Sequence, residues 1–241
     1  MTASLTPATR AVERSEWERG RLRCGQDLVA EESAVALVYN GVSHAVMMAT
    51  PADLQDFALG ISLSERMIGD RAELLEIEVA DHALGLEVKL RVAASRFAAL
   101  KQRRRSLAGR TGCGLCGAES LTQAIPDPLP VRSDFRIGHG ALQRARQALA
   151  GRQELNRHTG AVHAAAFCNA RGEILLVRED VGRHNALDKL LGALGRLGRG
   201  AEGMVLVTSR ASYEMVNKAS TLGVPVLAAL SAPTGLAIDQ A

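Results

Sequence analysis

The carboxyl-terminal third of this chain alternates between short apolar runs and helical stretches, and few folds accept that order. A run at 173–178 leads to a helical stretch from about 185 to 194. A second run at 204–209 leads to one at 213–222, which Gly223 ends as a left-handed C′ residue. A third run at 224–230 leads to a last helix from near Gly235. Strand–helix–strand crossovers of this length predict parallel pairing in a sheet covered by helices. The expected class is α/β, with a mainly parallel sheet in this half. An Ala-rich amphipathic helix is expected over 138–150.

The first half reads differently, as an α+β lobe. Residues 31–49 look like two strands around Asn40-Gly41, a strong hairpin signal. Pro51 follows, and a helix is expected from 52–54 to between 61 and 65, with Asp53 in its first turn. The alternating runs 75–79 and 86–92 read as strands with one wet face. Residues 96–107 look helical. Residues 1–24, rich in Arg and Glu and weakly periodic, read as a flexible, frayed start. The segment 125–130 holds three of the seven prolines and marks a boundary. Two lobes are therefore expected, 25–125 and 126–241.

Composition narrows the function. A chain of 241 residues can bury roughly 70–75% of its unfolded surface and needs no staples. Aromatics are only 3%, so the core is built from Ala, Val, Leu and Ile, and base stacking is poorly supplied. That argues against a nucleic-acid-binding module, although 101–110 carries five cations. No apolar run approaches the ~18–20 residues of a membrane helix. The first twenty residues hold no apolar signal core. Four cysteines are sparse enough for a reducing compartment, and a cytoplasmic location is expected.

Cys113 and Cys116 form the one C-x-x-C, in Thr111-Gly-Cys-Gly-Leu-Cys-Gly117. No second C-x-x-C occurs, and the one H-x₄-H pair, His158 and His163, stands over forty residues away. The surrounding glycines make the backbone permissive. The cations upstream favour thiolate over thiol. Two readings stay open: a dithiol loop that passes a sulfur-borne group, or an incidental turn after a solvated helix end. Cys24 and Cys168 read as small buried hydrophobes.

In open parallel sheets, ligands bind outside the carboxyl ends of the strands. Three such ends carry polar clusters: Glu179-Asp-Val-Gly-Arg-His-Asn185, Arg210-Ala-Ser-Tyr-Glu214 and Ser231-Ala-Pro-Thr-Gly235. Parallel strands place all three on one edge. Arginines and helix starts there favour an anionic ligand. The candidate binding residues are Asp180, Arg183, His184, Asn185, Arg210, Ser212, Ser231 and Thr234. Taken singly, Asp180, Ser212 and Thr234 read equally well as helix caps. His158 and His163, in His158-Thr-Gly-Ala-Val-His163, lead into a strand and have a route to the same crevice. No G-x-S-x-G, Walker A or G-x-G-x-x-G occurs.

At these residues the chain resembles the FdhD family of formate dehydrogenase accessory sulfurtransferases. The resemblance spans roughly residues 30 to 238. It is carried by Val38-Tyr-Asn-Gly-Val-Ser-His44, Phe57-Ala-Leu-Gly-Ile-Ser-Leu-Ser-Glu65, Arg110-Thr-Gly-Cys-Gly-Leu-Cys-Gly117, Glu179-Asp-Val-Gly-Arg-His-Asn-Ala-Leu-Asp-Lys189 and Ser209-Arg-Ala-Ser-Tyr-Glu214. It implies a sulfurtransferase that takes persulfide sulfur from a cysteine desulfurase. The sulfur goes to the molybdenum bis(molybdopterin guanine dinucleotide) cofactor of formate dehydrogenase, a bound cargo for which GDP is a partial mimic. Tungsten is the alternative metal. The resemblance implies that Cys113 bears the persulfide and Cys116 is its loop partner. It also implies a homodimer and a second lobe similar to the cytidine-deaminase fold, a layered α/β/α sheet. Deaminase chemistry is not implied, because no His is followed two places later by Glu. The family's cofactor contacts lie in a further carboxyl-terminal segment without counterpart in these residues, so those contacts are not carried over. The alternatives are a dithiol oxidoreductase and a nucleotide-binding module that no longer transfers sulfur.

Overall fold

The computed structural model describes residues 7–105 and 127–241. Its opening corrects the expectation of a frayed start. Strands β1 (Thr9–Glu18) and β2 (Arg21–Ala30) pair antiparallel along their whole length. Arg19 and Gly20 turn the chain with φ of +49° and +79°, both positive as a tight hairpin requires. Arg-Gly is a weak turn signal beside Asn-Gly, and charge dilutes the period. Pairing reveals it: Ala11, Ser15 and Trp17 lie opposite Leu28, Cys24 and Leu22 on one face. Cys24 is exposed there, contrary to the buried place expected of it.

Strands β3 (Ser33–Tyr39) and β4 (Val42–Ala49) form the expected hairpin, with φ of +45° and +80° at Asn40 and Gly41. Strands β5 (Leu74–His82) and β6 (Gly85–Val92) complete a sheet in the order β4-β3-β6-β5. The Asn40 side chain clamps the turn to Val92 through both backbone groups. Helix α1 (Leu54–Ser64) lays Phe57, Ala58 and Ile61 on Val35, Leu37, Val88 and Leu90. Asp53 is not in its first turn. It sits at the N-cap with φ +52° and makes no capping bond, while Asp56 takes the first-turn place and is buried. Helix α2 spans Ala94–Arg105. The side chains of the 101–110 cations lie outside the described residues.

From 127 to 138 the chain runs without regular structure. Helices α3 (His139–Arg152) and α4 (Glu154–Thr159) follow. Strands β7 (His163–Cys168), β8 (Ile174–Asp180), β9 (Met204–Val207) and β10 (Val226–Ala229) form the second sheet, in the order β10-β9-β7-β8. The expected mainly parallel pairing is corrected here. Only β10 and β9 pair in parallel, and β7 is antiparallel to both β9 and β8. A local reversal at 169–173, with Gly172 at φ +79°, folds β8 back on β7. Two antiparallel steps leave β8, β9 and β10 running the same way, so their carboxyl ends still share one edge.

Helices α5 (Arg183–Leu197) and α6 (Tyr213–Thr221) cover one face of this sheet. Leu187, Leu190 and Met215 pack there on Ala165, Phe167, Val205 and Val207. Helix α3 covers the other, with Ala145 and Leu149 on Ala166, Cys168 and Leu206. The layering is α/β/α. Burial pushes the Cys168 thiol up to about 11, so it packs as an inert hydrophobe. Gly223 ends α6 at φ +67°, as expected, and α7 (Gly235–Gln240) follows β10.

The two lobes meet where α1 crosses α5. A Cβ on Gly60 would stand 1.7 Å from the Asp188 carbonyl oxygen, and one on Gly192 would stand 1.9 Å from that of Asp56. Ion pairs flank the crossing. Asp56 lies 2.6 Å from Arg178 and 2.8 Å from Arg196; Lys218 lies 3.0 Å from Asp188 and 2.7 Å from Glu65. Gly192→Ala must separate the helices, and overpacking of this kind costs roughly 1–3 kcal/mol or more. Gly151, near the end of α3, has open space around its Cβ position, so Gly151→Ala is expected to be neutral or stabilising. Urea midpoints test the pair, and equal midpoints would remove the close crossing as the reason for Gly192.

Candidate functional site

The shared strand edge is built on a buried hub. Asp180 ends β8 with its carboxylate fully buried, 2.7 Å from the Lys189 ammonium. It also accepts from the backbone N–H groups of Thr50 and Gly182 and from the Asn185 amide. Lys189 donates to the Thr50 carbonyl, and Asn185 to that of Met48. The Thr50 hydroxyl accepts from Val181. The bonds to Thr50 and Met48 tie the 180–185 turn and Lys189 to the end of β4. Burial pulls the Lys189 ammonium down from its ordinary range, and the Asp180 charge opposes that. Asp180 and Asn185 thus reach the expected edge, but the Asp180 carboxylate and the Asn185 amide N–H groups are committed inward.

Outside the hub, the starts of α5 and α6 face one another. His184 Nε2 lies 2.9 Å from Glu214 Oε2, which also accepts from the Ser212 hydroxyl. The His184 hydrogen bond, against burial, holds the Glu214 carboxyl below its usual range. Arg183 is the first residue of α5, and its Nε is buried with no hydrogen-bond acceptor among the described residues. His163 begins β7 at this same edge, with Nδ1 3.3 Å from the Thr208 hydroxyl. Burial first, then the Arg183 charge, holds its imidazole below the ordinary range.

The remaining expected residues join from the other connections. Arg210 is exposed between β9 and α6. Ser212 is the N-cap of α6, but its hydroxyl turns to Glu214 and caps nothing. Thr234 does cap α7, accepting from Ala237, and its own N–H donates to the Ala211 carbonyl. Ser231 is exposed just before it. The three clusters are thus contiguous. His158 is apart from them, exposed on α4. Sequence reasoning missed Glu214 as the partner of His184, Thr208 as the partner of His163, and Thr50. Only the topology brings these to the edge. Cys113 and Cys116 lie outside the described residues.

A two-lobed α/β protein with a polar, cation-bearing strand edge is the class this geometry defines. Comparison makes it specific: the FdhD/NarQ family profile matches residues 30–241, and the chain belongs to that family. A Cupriavidus necator protein named Sulfur carrier protein FdhD is 58% identical over 228 residues, 94% of this chain and 79% of the relative. A Bordetella bronchiseptica protein of the same name is 53% identical over 217 residues, 89% and 78% of the two chains. A crystal structure of a proposed formate dehydrogenase accessory protein from Desulfotalea psychrophila has the same fold. Its TM-score is 0.72 at 22% identity, over 97% of this chain and 88% of that one. No helix among the described residues is long and apolar enough to cross a membrane.

Two outcomes follow from the hub and the His184–Glu214 pair. Lys189→Met leaves the Asp180 charge buried and uncompensated, a loss of about 3–5 kcal/mol. Adding Asp180→Asn is expected to return much of it. Chemical denaturation measures both, and a single variant as stable as the parent chain contradicts the hub. Glu214 has a depressed folded pKa, so its pair stabilises above the ordinary glutamate range and fades as pH falls through the lowered value. The stability gap between the parent chain and Glu214→Gln should therefore close in acid, below about pH 4. A gap that persists there argues against the pair.

Proposed function

We propose that this protein is a sulfur carrier acting through a persulfide on Cys113. Its membership of the FdhD/NarQ family, with relatives above 50% identity named sulfur carrier proteins, carries the reading. The dithiol Cys113-Gly-Leu-Cys116 supplies the chemistry. The Cys113 thiolate attacks the outer sulfur of a persulfide on a cysteine desulfurase. The donor S–S bond breaks, the desulfurase leaves as its thiolate, and Cys113 keeps the outer sulfur. From Cys113 the sulfur takes one of two balanced routes. Cys116 accepts the sulfur by the same exchange, or it attacks the inner sulfur and forms the 113–116 disulfide. In the second route the outer sulfur leaves as hydrosulfide, and a dithiol reductant resets the pair.

The receiver in this reading is the molybdenum or tungsten bis(molybdopterin guanine dinucleotide) destined for formate dehydrogenase. It is a substrate, and its guanine-nucleotide end rests on the strand edge. Arg183 supports this, because a buried guanidinium N–H without an acceptor among the described residues suits a phosphate oxygen. Arg210, His184, Ser212, Ser231 and Thr234 ring the same edge, and Asp180 and Asn185 hold the turn beneath it. A homodimer in the cytoplasm is the setting. GDP is expected to bind this edge as a partial mimic.

Mass spectrometry after incubation with a desulfurase and cysteine tests the carrier step. The parent chain should gain one sulfur mass on Cys113, and Cys113→Ala should gain none there and fail to mature formate dehydrogenase. A 113–116 disulfide that cycles without any sulfur gain would instead identify a dithiol oxidoreductase. Maturation retained by Cys113→Ala would overturn the assignment.

A further inference from the structure

We infer that His163 is a direct ligand of the anionic group bound beside Arg183, and that it takes up one proton as that group binds. This rests on the reading of the strand edge as a phosphate site and adds a residue and a proton to it.

His163 is placed for the role by topology. It starts β7, the strand of this sheet that enters at the edge where β8, β9 and β10 leave. Register sets it opposite Asp180, so its side chain stands on the face covered by α5. It is half-buried.

Thr208 equips the ring for two charge states. Its hydroxyl oxygen accepts from the Ala164 N–H at 2.9 Å. The hydroxyl proton then has two acceptors, His163 Nδ1 at 3.3 Å and the Ala164 carbonyl at 3.4 Å. With neutral imidazole the hydroxyl donates to Nδ1, which leaves the ring proton on Nε2. With imidazolium the hydroxyl turns to the carbonyl and accepts from Nδ1. Either way no partner is lost.

The surrounding charges decide which state the ring adopts. On α5, the Arg183 guanidinium opposes protonation. On β8, Asp180 has both oxygens committed to Lys189, Thr50, Gly182 and Asn185. Just past β9, Thr208 is neutral. On α6, Glu214 is held by His184 and Ser212. The free edge therefore keeps His163 neutral, by burial and by Arg183. A dianion beside both groups reverses the sign of the local field. It gives the orphaned Arg183 Nε an acceptor, and it makes the charged ring the favoured one.

The test is GDP binding by the full chain as a function of pH. A ligand that brings one proton with it gains up to about tenfold in affinity per unit fall in pH. The GDP phosphate titrates too, but equally in parent and variant, so the difference in slope isolates the protein. His163→Gln is expected to bind GDP with a slope shallower by as much as one proton. The His163 ring signal in NMR spectra of the parent chain should titrate at higher pH with GDP than without it. That measurement decides the matter even where the variant fails to fold. Equal slopes in parent and variant, or a ring titration that GDP does not move, overturn the inference and leave the phosphate site standing. If GDP does not bind, or Arg183→Ala leaves its affinity unchanged, the phosphate site itself falls and this inference with it.

Discussion

The crossing of α1 over α5 is the constraint on which the remainder of this structure depends. Gly60 and Gly192 place each helix against the other's backbone, at distances that no side chain permits. Contact this close leaves no room for water, so polar groups beside it need protein partners. Arg178, Arg196 and Lys218 supply them to Asp56 and Asp188. A buried ion pair contributes little net stability, but breaking one is expensive. Its effect here is to specify one arrangement of the lobes, because sliding α1 along α5 would strand several charges at once.

That fixed arrangement is what shapes the edge. The 180–185 turn belongs to the second lobe by sequence, yet its hydrogen bonds run to Met48 and Thr50 of the first. Arg183 and His184 are therefore positioned by both lobes together. The second lobe alone would hold α5 against its sheet through Leu187 and Leu190, but would leave Asp180 without Thr50. The start of Asp127–Leu129 is likewise shared, with Arg66 of one lobe donating to the Asp127 carbonyl and Ser220 of the other accepting from Leu129.

Much of this was legible in the sequence, for identifiable reasons. Asn40-Gly41 encodes its turn locally, and so does Gly223. The runs that became β8, β9 and β10 were visible because each is apolar and followed by a helical period. The antiparallel place of β7 was not, because nothing in an Ala-rich run states which neighbour it will have. The β1–β2 hairpin was missed because its period appears only in cross-strand pairs such as Trp17 with Leu22. Asp180 and Asn185 were legible as polar residues at a strand end, but not as inward-facing ones. Their partners Thr50 and Met48 lie some 130 residues away in sequence, at distances a local motif cannot encode.

The same geometry separates the two readings that polar strand ends allow. Were these residues only helix caps, each would be satisfied within its own turn. Thr234 fits that description and Ser212 does not, because its hydroxyl supports Glu214 instead of the α6 backbone. Arg183 fits it least. A surface arginine hydrates all five of its donors, whereas this one keeps Nε away from water with no acceptor among the described residues. Leaving a charged donor unsatisfied carries a cost of about 1–3 kcal/mol or more. That cost, borne beside His163 at the joint between the lobes, is what sets Arg183 apart from a helix cap.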